Sequence, residues 1–322
     1  MSRGNDGTVD SRRVSRLQRR LSGKRGGYGM THDGMRIGML GIHYPSPHRL
    51  SGVAEAEWEI GQAAALGLRA LHHYRPPVDA PPEELDRLGQ MARDAGVELE
   101  CELPWDVFTL DPSAAAATRG KTAGVMAAAK RLGADIVRGG YGCITLDTTR
   151  YARHRPLGRH LADIAKTVGE TARLAADHGL LLAVENHCDF SGAEIVRILE
   201  TVDLPNAGAA LDTGNSFPVF CDWRADIEAM APWAIATHFK DMRVVPNPHA
   251  GVPFTVEGCV LGEGDIDVPW IIEQLRAHSP RGDALRLIVE IGWPPDDPDR
   301  DTGEQMREMM RASLDYLRAT LS

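Results

Sequence analysis

The chain has 322 residues, with 36 Lys and Arg against 45 Asp and Glu, a formal net charge of −9. That length allows two ordinary domains or one large α/β barrel of roughly 250 residues. A hydrophobic content of 43% with 25% charged residues excludes a disordered or collagen-like chain. The absence of any apolar run near ~20 residues excludes a membrane span, and the acidic balance speaks against a protein that holds nucleic-acid phosphates.

The charge is uneven. Residues 1–30 contain Arg3, Arg12, Arg13, Arg16, Arg19, Arg20, Lys24 and Arg25 against Asp6 and Asp10, which sets this leader at +6 and the remainder at −15. It lacks the apolar stretch of about 7–15 residues that a secretory signal needs. Residues 1–34 read as a flexible basic extension, ahead of a folded domain over 35–322. A basic arm that docks an acidic partner is the sharper reading of the same segment.

From residue 35 a regular alternation begins. The apolar runs Met35–Leu40, Arg69–His73, Val97–Leu103, Asp135–Arg138, Leu180–Glu185, Ala207–Asp212, Ala234–Phe239 and Leu285–Ile291 are predicted strands. Their nearly continuous Leu, Val and Ile content suits parallel strands covered on both faces. Helical spacing fills the intervals at Ala54–Leu66, Pro82–Ala95, Ala114–Leu132, Leu157–His178, Gly192–Thr201, Ala225–Ala231, Val268–His278 and Glu304–Thr320. Gly67, Gly96, Gly133 and Gly179 each close a helical pattern just before a strand, where a left-handed C-cap is wanted. Eight βα units with no Gly-x-Gly-x-x-Gly at the first turn predict a single-domain (βα)8 TIM barrel rather than a doubly wound sheet. The stretch 242–266, with Pro246, Pro248, Gly251 and Pro253, is expected to be a loop that serves as a lid or an interface. Five cysteines (Cys101, Cys143, Cys188, Cys221 and Cys259) without C-x-x-C spacing point to free thiols and a cytoplasmic location.

In this barrel, chemistry gathers at the C-terminal ends of the strands. The last four predicted strands end in Glu185, Asp212, His238 and Glu290. Each ionisable group closes an apolar run, where an unpaired charge is costly. Adjacent strands lie about 4.8 Å apart, so the four side chains can converge. Three carboxylates and an imidazole suit one divalent cation, Mn²⁺ foremost, with Mg²⁺, Co²⁺ or Zn²⁺ also compatible. A structural zinc site would more usually carry Cys and His.

Taken together and in order, Val-Glu185-Asn-His, Leu-Asp212-Thr-Gly-Asn, Thr-His238-Phe-Lys-Asp and Val-Glu290, with Leu-Gly-Glu-Gly-Asp-Ile-Asp267 between them, resemble the xylose isomerase-like TIM barrels. This is the sugar (phosphate) isomerase/epimerase group, and the resemblance covers roughly residues 35–320. It implies that Glu185, Asp212, His238 and Glu290 bind one divalent metal, and that Glu185 and Glu290 also act as acid and base on opposite faces of a sugar. The implied chemistry is proton abstraction next to a carbonyl, through an enediolate. Departures from the ketose epimerases are informative. Those have a His three residues after the strand-six Asp, where this chain has Asn215. It carries instead His187, which can serve as a separate base or as a hydrogen-bonding group.

Lys240 and Arg243 are candidate substrate contacts, as is Asn215, though Lys240 can equally pair with Asp212 or Asp241. Trp105 is a candidate sugar platform. Alternation lets only one of His72 and His73 face the site, and His73 is the candidate taken here; His43, Glu102, Arg138 and the Tyr141–Cys143 loop also lie at strand ends. The motifs are similar as well to lyases acting on 3-keto-glycosides, which pair with a small second subunit, and to inosose dehydratases, which share the first step. A type IV apurinic endonuclease is disfavoured by Asn215 and the acidic surface. An inactive sugar-binding subunit is disfavoured by the complete ligand set. The expected partner is thus a small sugar or glycoside, with no nucleic acid and no membrane, on a homo-oligomer that can carry a small accessory subunit.

Overall fold

A computed structural model of the protein describes residues 34–141, 145–249, 251–292 and 299–322. The basic extension, apart from Gly34, lies outside the described residues, as do Gly142 and Cys143. The strands in chain order are β1 (Arg36–Leu40), β2 (Ala70–His73), β3 (Glu98–Glu102), β4 (Ile136–Gly139), β5 (Leu181–Glu185), β6 (Ala207–Asp212), β7 (Ala234–His238), β8 (Asp241–Pro246), β9 (Phe254–Cys259) and β10 (Arg286–Val289). The helices are α1 (Gly52–Ala65), α2 (Pro82–Asp94), α3 (Ala115–Leu132), α4 (Leu157–Asp177), α5 (Gly192–Val202), α6 (Trp223–Met230), α7 (Val268–His278) and α8 (Thr302–Leu321). Eight parallel strands run in the order β10-β1-β2-β3-β4-β5-β6-β7, and the protein is a TIM barrel.

The ladder between β7 and β10 is thin. Phe239 N donates to the Ile288 carbonyl at 2.7 Å and Glu290 N to the Phe239 carbonyl at 2.9 Å. Below them the Thr237 hydroxyl donates to the Arg286 carbonyl at 2.7 Å and accepts from Ile288 N at 3.3 Å. A side chain thus substitutes for backbone in closing the cylinder.

Local chemistry explains the element ends. Gly67, Gly96, Gly133 and Gly179 all adopt positive φ, between 66° and 82°, as their place between helix and strand demands. Ser191 and Glu194 form a reciprocal capping box on α5, and Asp222, Asp267 and Asp301 cap α6, α7 and α8. Those Asp caps start α6 and α8 two residues earlier than the apolar periodicity alone predicts. The stretch 242–266 departs from expectation, since much of it is the antiparallel β8–β9 hairpin, paired from Asp241↔Cys259 to Pro246↔Phe254. The hairpin reaches the barrel through glycine: a Cβ on Gly258 would stand 2.3 Å from the Gly292 Cα, so only two glycines allow that approach.

The main apolar core lies between barrel and helices. A smaller set, Ile136, Leu181, Ala183, Ala210, Ile235 and Ala236, packs as a separate cluster on β4 to β7, with adjacent Ile235 and Ala236 both included where the β6–β7 register shifts. Beside it runs a buried chain of charges. Arg286 donates to Glu98 at 2.7 Å, Glu100 at 3.1 Å and Asp135 at 2.6 Å. Fully buried Arg138 takes over from Glu100 at 3.5 Å and reaches Glu185 at 3.4 Å. The ion pairs thereby connect the N-terminal end of the barrel to the first of the strand-end acids.

Candidate metal and sugar site

Four strand ends bring Glu185, Asp212, His238 and Glu290 together, with one donor atom of each within 4.8 Å of the others. His238 Nδ1 lies 2.6 Å from Glu290 Oε2, 3.4 Å from Glu185 Oε1 and 3.8 Å from Asp212 Oδ2.

The motif Asp-Thr-Gly-Asn divides the labour around this cluster. Asp212 Oδ1 accepts from the backbone N–H of Gly214 at 2.8 Å and of Asn215 at 3.0 Å, which leaves Oδ2 facing the cluster. The Thr213 hydroxyl donates to the Lys240 carbonyl at 2.5 Å and accepts from Lys240 N at 2.8 Å, tying the end of β6 to the end of β7. A Cβ on Gly214 would sit 2.9 Å from Met242 and 3.1 Å from the Lys240 side chain, so glycine makes the room that Lys240 occupies. Asn215 Oδ1 accepts from Lys240 Nζ at 3.2 Å. In the strand-five motif, Asn186 hydrogen-bonds the backbone of Asp212. Three residues on, Asp189 accepts from the backbone of His187, Phe190 and Tyr141 and so fixes the loop that carries His187.

Electrostatics fit a cation. Asp212 Oδ2 and His238 Nδ1 are buried without an aligned hydrogen bond, though charged neighbours stand close to both. Lys240 Nζ stands 2.5 Å from Glu290 and 3.3 Å from Asp212, out of hydrogen-bond alignment with the latter. The three carboxylates outnumber Lys240 and Arg138, the cations that contact them, which leaves net negative charge beside a neutral imidazole. Burial and Arg138 lower the His238 imidazole, but Glu290 and Glu185 outweigh them and hold it at about 9. Burial raises the Glu290 and Glu185 carboxyls, yet Lys240 and His238 hold the first, and His238 and Arg138 the second, well below the usual range. Burial raises Asp212. An oxygen-rich set with one nitrogen is suited to hard or borderline divalent cations.

Above the cluster a cavity of about 150 Å³ is lined by Leu40, Ile42, His43, Tyr74, Trp105 and His187, together with Glu102, Gly140 and the ligands Glu185, His238 and Glu290. The Trp105 ring meets His187 edge-on at 5.2 Å and Tyr74 at 6.1 Å, so the half-exposed indole forms the cavity rim. Burial lowers the His43 imidazole to about 4, and its Nδ1 accepts from Ile291 N at 3.2 Å.

Several predicted residues lie elsewhere. His73 points away from the barrel interior and pairs with Glu59 of α1. The β2 histidine that faces inward is His72, whose Nδ1 lies 3.0 Å from His238 Nε2. Arg243 is on the β8–β9 hairpin, where its guanidinium pairs with Glu257 at 2.7 Å, away from the cavity. Lys240 is engaged by the ligand carboxylates and does not line the cavity, and Asn215 holds Lys240 there. Arg138 lies beneath the cluster as the partner of Glu185. Sequence reasoning passed over Asn186, Thr213 and Asp189, whose signal is only that they are polar residues directly after, or for Asp189 four residues beyond, a strand-end acid.

A family model described as the xylose isomerase-like TIM barrel matches residues 60–319. The chain belongs to the xylose isomerase-like TIM barrel family. No curated protein matches the sequence. Among solved structures, a D-psicose 3-epimerase determined in the presence of D-fructose is similar at 18% identity and a TM-score of 0.67, covering 89% of this chain and 99% of that one. A xylose isomerase-like TIM barrel protein from Mycobacterium smegmatis in complex with magnesium is similar at 16% identity and a TM-score of 0.63, covering 92% and 100%. The probable 3-DHS dehydratase AsbF from Bacillus anthracis has 16% identity and a TM-score of 0.63, covering 88% and 99%. At these identities the likeness is one of fold. No helix among the described residues is long and apolar enough to cross a membrane.

Proposed function

We propose that this family member is a divalent-cation-dependent enzyme that removes a proton next to the carbonyl of a sugar, as an isomerase or epimerase. The observation that carries the reading is the convergence of Glu185, Asp212, His238 and Glu290 beneath a cavity. A bound cation, Mn²⁺ foremost, would polarise the carbonyl and stabilise the enediolate formed when the neighbouring C–H ionises. Glu185 and Glu290 both line the cavity, so each can exchange a proton with substrate carbon while its second oxygen stays with the cluster. Lys240 and Arg138 keep these carboxyls ionised, as bases must be. His187, held above by Asp189 and packed on Trp105, is placed to move a proton at a hydroxyl or leaving oxygen, and Trp105 to cover an apolar sugar face.

A second reading, elimination from a 3-keto-glycoside or an inosose, shares the first step, and a fold neighbour described as a probable dehydratase supports it. The four described cysteines are free, in keeping with a cytoplasmic enzyme. Among the described residues, the eight exposed large apolar side chains, from Val78 and Trp105 to Phe220 and Phe254, all lie in segments that follow barrel strands, Val244 and Phe254 on the β8–β9 hairpin. This supports self-association, or an accessory subunit, on the cavity face. Light scattering of the purified protein reports its mass directly.

The deciding experiment incubates Mn²⁺-loaded protein with ketoses and 3-keto-glycosides in D₂O. Deuterium entering beside the carbonyl supports proton abstraction, and the product distinguishes epimerisation from loss of a group. Absence of exchange in every keto sugar would overturn the reading.

A further inference from the structure

The cluster does not end at its four ligands. On the far side of His238, Nε2 lies 3.0 Å from Nδ1 of His72, with ring centroids 5.1 Å apart and planes inclined by 36°. His72 is fully buried on β2, and its other nitrogen, Nε2, stands 3.1 Å from Glu102 Oε2 on β3, although off the line of the ring N–H. Neither residue offers an oxygen or nitrogen to the four-ligand cluster itself.

The proton positions in this row are fixed by one requirement. The nitrogen of His238 that faces the three carboxylates is Nδ1, so a cation there takes the Nδ1 lone pair and leaves the proton on Nε2. That N–H needs an acceptor in a buried place, and the nearest is His72 Nδ1. His72 must then carry its own proton on Nε2, which faces Glu102. Each lone pair then has a donor or a cation, and the carboxylate nearest the His72 N–H is Glu102, at 3.1 Å. Moving the proton on one ring alone would set two N–H groups or two lone pairs against each other at 3.0 Å in a buried site, and moving it on both would put a proton on His238 Nδ1, the atom the cation needs.

We infer that His72 and Glu102 are positioning residues that lock His238 in the Nε2–H form and aim its Nδ1 at the cation. The inference rests on the cation reading of the cluster. Partners that orient a metal-bound imidazole in this way typically contribute about 10–100-fold in metal affinity.

The test measures Mn²⁺ and Zn²⁺ affinity by calorimetry for the wild type, His72→Phe, His72→Asn, Glu102→Leu and Glu102→Gln, with circular dichroism and thermal melts to establish folding. A two-bond ¹H–¹⁵N spectrum of Zn²⁺-loaded, imidazole-labelled wild type reports the His238 tautomer without any substitution. We expect the Nε2–H form in the wild type and affinity about 10–100-fold lower in folded His72→Phe. Glu102→Gln, which keeps an acceptor oxygen, should recover most of what Glu102→Leu loses. Wild-type binding with an Nδ1–H His238, or unchanged affinity in both folded His72 variants, overturns the positioning role alone. A wild type that binds neither ion overturns the cation reading and this inference with it.

Discussion

Asn186 holds Asp212 by the backbone: its side-chain amide donates to the Asp212 carbonyl at 3.0 Å and accepts from the Asp212 N–H at 2.9 Å. One side chain thereby extends the β5–β6 ladder by a rung beyond its last strand pair, at the position where a ligand must be held still. Asn186→Leu would leave a buried N–H and a buried C=O without partners, each costing about 1–3 kcal/mol. The expected result is a lower urea midpoint together with weaker Mn²⁺ binding. Full stability with wild-type metal affinity would show that Asp212 is held by other means.

Glu185→Gln and Glu290→Gln keep the shape of each side chain and remove its charge. If the two carboxylates serve as ligands and as bases, both variants lose bound metal and at least about 10²-fold in turnover, the lower end of what a positioned base contributes. Metal content by atomic emission, read beside kcat on the substrate found by deuterium exchange, separates the two effects. Bound metal with unchanged turnover in both variants would sink the proposed reaction.

Acid should loosen the opposite end of the barrel. Burial raises the Asp135 and Glu98 carboxyls, but Arg286 and Arg281 overcome it at Asp135, and Arg286 and Arg36 at Glu98, so both are held below their ordinary values. A depressed folded-state pKa means the unfolded chain binds protons first. The pairs' contribution is therefore present above the unfolded carboxylate range, about 4, and is lost as pH falls through that value and below. Urea unfolding from pH 7 to pH 3 should show this loss. Arg286→Met, which leaves fully buried Glu100 with only the longer Arg138 contact at 3.5 Å, should cost up to about 3–5 kcal/mol at neutral pH and flatten the acid limb.

Asp189→Asn replaces an oxygen that accepts from backbone N–H by an NH₂ group that cannot. The loop bearing His187 should lose order, with kcat/KM lowered and Mn²⁺ affinity unchanged. Equal loss of both would place Asp189 in service of the cluster itself.

Much of this was legible beforehand. Strand ends announce themselves because a parallel strand is apolar until it leaves the sheet, so Glu185, Asp212, His238 and Glu290 stand out as the first charges after long apolar runs. The choice between His72 and His73 was not legible, because it depends on which residues of β2 pair with β1 and β3, and neighbouring positions face opposite ways. The interior ion pairs were hidden for another reason. Arg286 and Glu100 are 186 residues apart, and nothing local marks them as partners. The hairpin was obscured by its Pro and Gly residues, which sit at its turn and read as loop throughout.

The thin ladder between β7 and β10 runs between two of the four ligands, His238 on one edge and Glu290 on the other. A cation shared by them would act as a clasp on the cylinder at its weakest longitudinal joint. Loading would then be felt as stiffness as well as chemistry, with the Phe239 and Glu290 amides exchanging more slowly than in the empty barrel.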